Sequence, residues 1–540
     1  MKKVLVIVLT LILAFSGLVI SKVEAAQFSD VPSNHRFYND VQYLTEKGVI
    51  SPSGSKFGVD QKITREEVAV MVSKAVGLNG KQTSTKFKDV PSSLTSSGYI
   101  NSAVKAGIIA GFPDGTFRPK EIVTRGQMAI FLSRAFKLTE EANTNFKDMS
   151  PSVSSYKNVR HIVKAGITTG YPDNTYRPNE TLSRGQIVAF LSRALFLKES
   201  GNKQMKVHFI DVGQGDSILL QTPTGKNMLI DGGKASSENK VVAFLKSKGI
   251  STLDVVIATH PDADHIGGLI SVLETFKVNQ FIDSGKVHTT QTYFDMLSII
   301  DKKNIPFKLV TSNEAIALDS LVKIKILYAD KNASDSNDAS IVTKVSYGSV
   351  SFLLTGDAGI KTEKALLGNP DLKSTYLKAG HHGSATSSSD SFVKAVSPEG
   401  TILSYGEGNS YGHPAATAVN TLKAVGTKIY STAVSGDITV STNGVTHSVS
   451  VKPWYAPVVK PAPAPVKPKP TPVKPKPTPV KPKPTPAKPN PGSGSYVIPG
   501  APKSFQNCTA MKKYYPNGVK KGHPAYATKH DRDKDGWACE

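Results

Sequence analysis

Thr259-His260-Pro-Asp262-Ala-Asp264-His265 places two imidazoles and two carboxylates within six residues. On one short loop these four can face a single cavity, and mixed nitrogen and oxygen donors suit Zn²⁺ or Mn²⁺. Leu353-Leu354-Thr355-Gly356-Asp357 adds a carboxylate after an apolar run, and Gly380-His381-His382-Gly383 adds two imidazoles in a Gly-flanked turn. Alone, each of the last two reads as a turn aspartate or a surface histidine pair. With the first loop they read as one metal centre. A separate stretch, Asp531-x-Asp533-x-Asp535-Gly536, has the oxygen spacing of half a calcium loop, with glycine at the sharp turn. Glu540 follows only four residues later, so this is not a complete EF-hand.

The metal loop directly follows Leu253-Asp-Val-Val-Ile-Ala258, an apolar run that reads as a buried strand. Further strands are predicted at 207–210, 217–221, 227–230, 350–354 and 375–378, and helices at 240–248 and 267–275. The acidic and histidine residues thus fall just past strand ends, where open α/β sheets place their chemistry. Gly213-x-Gly215-x-x-Ile218 lacks a third glycine and runs into a strand, which excludes a dinucleotide loop.

A chain of 540 residues is too long for one core and predicts three to four folded units. The net charge of +23 is unevenly spread. Ten lysines and no acid lie in 452–503, and 23 basic against 15 acidic residues lie in 27–200. Residues 206–450 hold 22 lysines, no arginine and 23 acids, so the stretch with the chemistry is nearly neutral and lacks the clustered Arg of a polyanion groove. The basic segments are better matched to an anionic wall polymer. Two cysteines, Cys508 and Cys539, exclude a disulfide-dense scaffold and a multi-Cys zinc cluster.

Met1-Lys2-Lys3, an apolar run to Ile20 and Val23-Glu24-Ala25-Ala26 read as a signal peptide over 1–25, leaving no stable membrane span after cleavage. From Lys460 to Pro491 a Pro-Lys-Pro-Thr-Pro pattern predicts a disordered, stiff Pro/Lys linker, bounded at 456–500. Between them runs a repeat with a period of about 59 residues. Phe28-Ser29-Asp30-Val31 returns as Phe87-Lys88-Asp89-Val90 and Phe146-Lys147-Asp148-Met149. Thr64-Arg65 returns as Thr124-Arg125 and Ser183-Arg184, each hydroxyl placed to cap a helix.

These repeats, at 27–85, 86–144 and 145–200, resemble the S-layer homology (SLH) family. The resemblance implies an all-α trefoil that binds a secondary cell-wall polymer. It points to Asp30, Asp89 and Asp148 with Arg65, Arg125 and Arg184, whose guanidinium forks suit a carboxylate on that polymer. Residues 206–450 resemble the metallo-β-lactamase fold, most closely its ComEC-like branch. The resemblance rests on His208-Phe-Ile-Asp211-Val-Gly-Gln214-Gly-Asp216, Leu229-Ile-Asp231-Gly-Gly233, the metal loop, Asp357, His381-His382 and Gly412-His413-Pro414. It implies an α/β, four-layer αββα sandwich. His260 and Asp262 would ligate one metal and Asp264 and His265 a second, with Asp357 bridging and His381 or His382 completing the second site. Asp231 would support the loop from behind. The family's third first-site histidine is absent, and Asn337 or Asp338 occupies that region.

Two such ions, ~3.5–4 Å apart, would activate a shared water against a phosphodiester. Asp264 or Asp357 would orient it, and His413 would contact phosphate or protonate the leaving oxygen. Residues 503–540 resemble the Excalibur family, which implies a small calcium-binding module using Asp531, Asp533, Asp535 and Glu540. In an exported module this small, Cys508 and Cys539 are expected to form a disulfide. The whole reads as a secreted monomer attached to the cell wall or S-layer, and as a metal-dependent hydrolase cutting DNA or another nucleic acid. The alternatives are a phosphodiesterase for a teichoic-acid or phosphorylcholine-type wall polymer, and a non-catalytic wall-binding protein.

Overall fold

Thr64, Thr124 and Ser183 each cap a helix in the computed structural model, which describes residues 28–32, 35–51, 54–455, 497–532, 534 and 536–539. The expected signal peptide and most of the expected linker lie outside these. At each cap the side chain accepts the N–H three residues on, while Glu67, Gln127 or Gln186 reaches back to the cap N–H. Two otherwise orphaned donors are thereby satisfied. The helices are α1 (Tyr38–Glu46), α2 (Arg65–Ala75), α3 (Ser97–Lys105), α4 (Arg125–Ala135), α5 (Tyr156–Lys164) and α6 (Arg184–Ser200). α2 packs on α3, α4 on α5, and α6 returns to α1, closing the repeats into a ring around one shared core.

The six residues expected at a polymer surface also make hydrogen bonds within and between the repeats. Arg65 and Arg125 are buried. Their Nε atoms donate to the carbonyls of Phe117 and Tyr176 in the following repeat, each at 2.9 Å. Aromatic rings flank both guanidiniums, Phe117 at 4.8 Å and Tyr176 at 4.6 Å among them. Arg184 closes the circle by donating to the Phe57 carbonyl of the first repeat at 3.0 Å and pairing with Glu67. The carboxylates of Asp30, Asp89 and Asp148 accept backbone N–H groups of Phe57, Gly58 and Val59, of Phe117 and Arg118, and of Tyr176 and Arg177. Arg65 and Arg125 thus spend hydrogen bonds inside the bundle, where an unmade one is expensive, while Arg184 and the three aspartates stay partly exposed.

Two sheets follow. In chain order the strands are β1 (Met205–Phe209), β2 (Ile218–Gln221), β3 (Asn227–Ile230), β4 (Val255–Ala258), β5 (Phe281–Asp283), β6 (Phe307–Leu309), β7 (Ala315–Asp319), β8 (Val322–Tyr328), β9 (Val342–Tyr347), β10 (Val350–Leu354), β11 (Tyr376–Lys378), β12 (Gly400–Leu403), β13 (Lys428–Ser431), β14 (Ile438–Thr442) and β15 (His447–Val449). The first sheet runs β15-β14-β1-β2-β3-β4-β5-β6 and the second β13-β12-β11-β10-β9-β8-β7. β3 through β6 are parallel, as are β10 through β13.

Alternation along the strands explains the layering. Ile218, Leu220, Met228, Ile230 and Ile257 meet Val345, Phe352 and Ile402 between the sheets. Leu219, Leu229 and Val256 face outward onto Val241, Leu269 and Met296 of the covering helices. Leu353 and Leu377 likewise face Phe392 and Leu422. Four layers result, αββα. The helical ring meets this sandwich through α6, whose Phe196 ring packs edge-on against Tyr347 at 5.1 Å.

The C-terminal unit has a short helix, Cys508–Lys512, and a two-stranded pair of Val519–Lys520 with Trp537–Ala538. A Cys508–Cys539 disulfide joins the ends of this unit. Asp531 is buried, and its carboxylate accepts from the Tyr526 hydroxyl and the Gly536 N–H. Asp533, Asp535 and Glu540 lie outside the described residues.

Candidate metal centre

Every candidate of the central cluster stands just past the end of a parallel strand: Asp231 after β3, His260 to His265 after β4, Asp357 after β10, and His381 and His382 after β11. Parallel strands end at one edge, so residues far apart in sequence converge there. Glycines let the loops approach. A Cβ on Gly215 would lie 2.3 Å from the Asp264 carbonyl, and one on Gly268 would lie 2.0 Å from that of Gly232.

The ligand atoms of His260, His265 and Asp357 lie within 4.8 Å of one another, as do those of Asp264, His265 and His382. His265 Nε2 is 3.3 Å from Asp357 Oδ1, and His382 Nε2 is 3.2 Å from Asp357 Oδ2 and 3.5 Å from Asp264 Oδ2. These approaches are close but not aligned as hydrogen bonds. The Nε2 atoms of His260, His265 and His382 and Oδ1 of Asp357 are buried without hydrogen-bond partners.

The reason lies one layer behind. His265 Nδ1 is 2.8 Å from Asp231 Oδ2, and His382 Nδ1 is 3.0 Å from the Ser404 carbonyl. His260 Nδ1 is 3.0 Å from Thr259 Oγ1, whose own proton goes to Asp231 at 2.7 Å. Each Nδ1 therefore carries the proton, and each Nε2 lone pair is turned to the centre. Asp231 thus sets two imidazoles at once.

Buried polar atoms left bare in this way fit a divalent cation. Charge points the same way. Burial opposes a positive charge on His265 and His382, but Asp357 outweighs it and lifts both well above the ordinary imidazole range. Burial likewise opposes charge on Asp357, yet the two imidazoles hold it well below the usual carboxylate range. Asp264, against burial, is brought to about 2 by His382. The cavity asks for positive charge, which ions would supply in place of protons.

The two halves differ. Asp264, His265, His382 and Asp357 make one full donor set. The other has His260, whose Nε2 is 3.7 Å from Asp262, and Asp357. Asp338 turns instead to Lys361 at 3.2 Å, and Asn337 Oδ1 is buried without a hydrogen bond. Of the histidine pair, His382 is buried in the cluster. His381 is more open, 3.9 Å from Asp357. His413 borders a cleft of about 510 Å³ with Tyr405, Glu407 and Asn409. Burial, then His381 and His382, keeps it below the usual imidazole range. Gln214 takes the Gly406 N–H on Oε1 and offers Nε2 to His413 Nδ1, both at 3.3 Å, so the His413 proton sits on Nε2.

Three nearby residues were not among the expected site groups. Gln214 positions His413. Asp216 and Lys378 form an ion pair at 2.9 Å with exposures of 1% and 0%, and Asp216 also lies 3.5 Å from His382. His208, from the same motif as Asp216, turns away to Thr439 and Gln221.

Asp283 ends β5 in the same row but is absent from the groups whose ligand atoms converge. Burial raises its carboxyl to about 6. The unfolded chain then releases this proton near pH 4 while the native state keeps it, so stability falls as pH rises from about 4 to 6. Asp283→Asn should remove that slope and stabilise the protein at pH 8 by up to about 3 kcal/mol. Urea denaturation at pH 4.5 and pH 8 measures it, and an unchanged slope would show that Asp283 does not control it.

Family models match three parts of the chain. Residues 27–69, 86–129 and 145–188 match the S-layer homology domain. Residues 210–407 match the metallo-beta-lactamase superfamily, and residues 505–540 match the Excalibur calcium-binding domain. Among curated proteins, "ComE operon protein 3" of Bacillus subtilis is 26% identical over 51% of this chain and 38% of its own length. "Competence protein ComA" of Neisseria gonorrhoeae is 32% identical over 42% of this chain and 30% of its own length. "Cellulosome-anchoring protein" of Acetivibrio thermocellus is 32% identical over 26% of this chain and 34% of its own length. The chain therefore spans about a third of the length of the curated relatives it matches.

Proposed function

Because this chain carries three S-layer homology domains, a metallo-beta-lactamase superfamily domain and an Excalibur calcium-binding domain, we propose that it is a wall-attached, metal-dependent phosphodiesterase acting on DNA or another nucleic acid. The observation that carries this reading is the convergence of three bare Nε2 atoms on the Asp357 carboxylate. His260, Asp262 and Asp357 would hold one ion, and Asp264, His265, His382 and Asp357 the other, as Zn²⁺ or Mn²⁺. When bound, such ions supply a hydroxide near neutral pH and offset charge on a phosphoryl oxygen. Asp264 or Asp357, ionised, would accept a hydrogen bond from that hydroxide and orient it. His413 donates its Nε2–H to a phosphoryl or leaving oxygen. The helical ring tethers the chain to a secondary cell-wall polymer, and Asp531, Asp533, Asp535 and Glu540 hold Ca²⁺ in the C-terminal domain. The competence protein among the relatives supports a nucleic acid as substrate, and the cellulosome-anchoring relative supports the tether.

The test uses the full chain, stripped by chelator and reloaded with Mn²⁺ or Zn²⁺. Reloading should restore hydrolysis of bis-p-nitrophenyl phosphate at about two ions per chain. Asp264→Ala should lower turnover by roughly a hundredfold or more and leave sedimentation with purified cell wall unchanged. Wild-type protein that retains metal but never turns over would favour a non-catalytic wall-binding protein.

A further inference from the structure

Tyr411 leaves 64% of its surface in solvent at the edge of the metal centre. Its ring stacks on His413 at 5.7 Å with planes 22° apart, and His413 in turn stands 5.4 Å from His381 and 6.1 Å from His382. The ring is held by its loop. Asn409 Oδ1 accepts the N–H groups of both Tyr411 and His413, at 3.1 and 3.0 Å, and its Nδ2 donates to the His413 carbonyl at 2.7 Å. From the other sheet, the mobile-stemmed Lys234 places its ammonium over the Tyr411 ring, 5.9 Å from the centroid, where an incoming phosphate can draw it aside. A solvent-exposed aromatic ring, a hydrogen-bond donor and a cation therefore sit together, one ring away from the metal ligands.

We propose that Tyr411 is a stacking platform for an unpaired nucleobase, which makes single-stranded nucleic acid the substrate class. This rests on the phosphodiesterase reading of the same site and narrows it. A base has a π-face to lay on the tyrosine, and stacking of this kind tolerates any sequence. The phosphate attached through the sugar then falls toward His413 Nε2–H and the ligand cluster, while Lys234 meets a neighbouring phosphate. In a duplex the bases are already stacked on each other, so the platform selects single strands. A glycerol- or ribitol-phosphate wall polymer carries equal charge but no ring.

The experiment compares oligo(dT) with an abasic deoxyribose-phosphate oligomer of the same length and charge. Binding is read first, on the metal-free full chain, by fluorescence anisotropy. Wild type should bind oligo(dT) about tenfold more tightly than the abasic oligomer, Tyr411→Ala should erase the difference, and Tyr411→Trp should keep it. Equal wild-type affinity for the two oligomers, or a Tyr411→Ala loss shared by both, overturns the proposal. So does Tyr411-dependent binding of purified teichoic acid. Hydrolysis by the Mn²⁺-loaded chain is read second. Base-dependent binding without any hydrolysis would sink the phosphodiesterase reading and leave the platform standing.

Discussion

Replacing Asp357 by Ala should lower phosphodiester hydrolysis by at least about a thousandfold and leave the protein with no more than one ion. The expectation follows from position. Asp357 has ligand atoms within reach of His260 on one side and of His265 and His382 on the other. No other carboxylate among the described residues joins the His260 half to the His382 half in this way. Its side chain is buried among three imidazoles, so water cannot stand in for the lost charge. Asp357→Asn separates charge from shape: the amide fills the same space but cannot answer two cations, and it should fail nearly as badly. Metal content by mass spectrometry and turnover of bis-p-nitrophenyl phosphate decide the matter. Two ions retained and near-normal turnover in Asp357→Ala would remove the bridge from the reading.

The centre was legible because its chemistry is concentrated. Four donors fall within six residues after β4, and a donor at a strand end can only face the rim of a sheet. The choice between His381 and His382 was not legible. Both adopt left-handed backbone, φ 46° and 56°, and this local twist sends one ring inward and leaves the other partly open. Asp231 also has positive φ, 58°, which holds its carboxylate beneath Thr259 and His265. Lys378 was hidden for the opposite reason. A lysine closing a three-residue strand reads as a solvent contact, and only its place in a fully buried strand betrays it.

The arginines of the helical ring teach a related lesson. A guanidinium recurring once per repeat fits a ligand contact, but a closed ring also needs the same tie made three times. Arg65, Arg125 and Arg184 make that tie. Recurrence alone does not separate these two uses.

Lys378→Met should destabilise the protein by roughly 3–5 kcal/mol at pH 8, although it removes no ligand. The ammonium is fully buried and 2.9 Å from Asp216 Oδ2, so its loss strands a charge where solvent cannot reach. Burial pushes the Asp216 carboxyl up, but Lys378 and then His382 outweigh it and hold its pKa low. In the wild type this pair stabilises the fold above the unfolded carboxylate range near pH 4, and the contribution fades as pH falls through the lower native value. Without Lys378 the burial effect prevails over the remaining His382 contact, the native pKa rises, and the slope inverts: the variant loses stability as pH climbs past about 4. Lys378→Met combined with Asp216→Asn leaves no stranded charge and should recover most of the loss. His382 would still lack its carboxylate neighbour 3.5 Å away, so metal affinity in the double variant should stay about ten- to a hundredfold weaker. Urea denaturation at pH 5 and pH 8, with metal titration of all three variants, separates the two roles. Wild-type stability of Lys378→Met at pH 8 would show that the pair carries no buried charge.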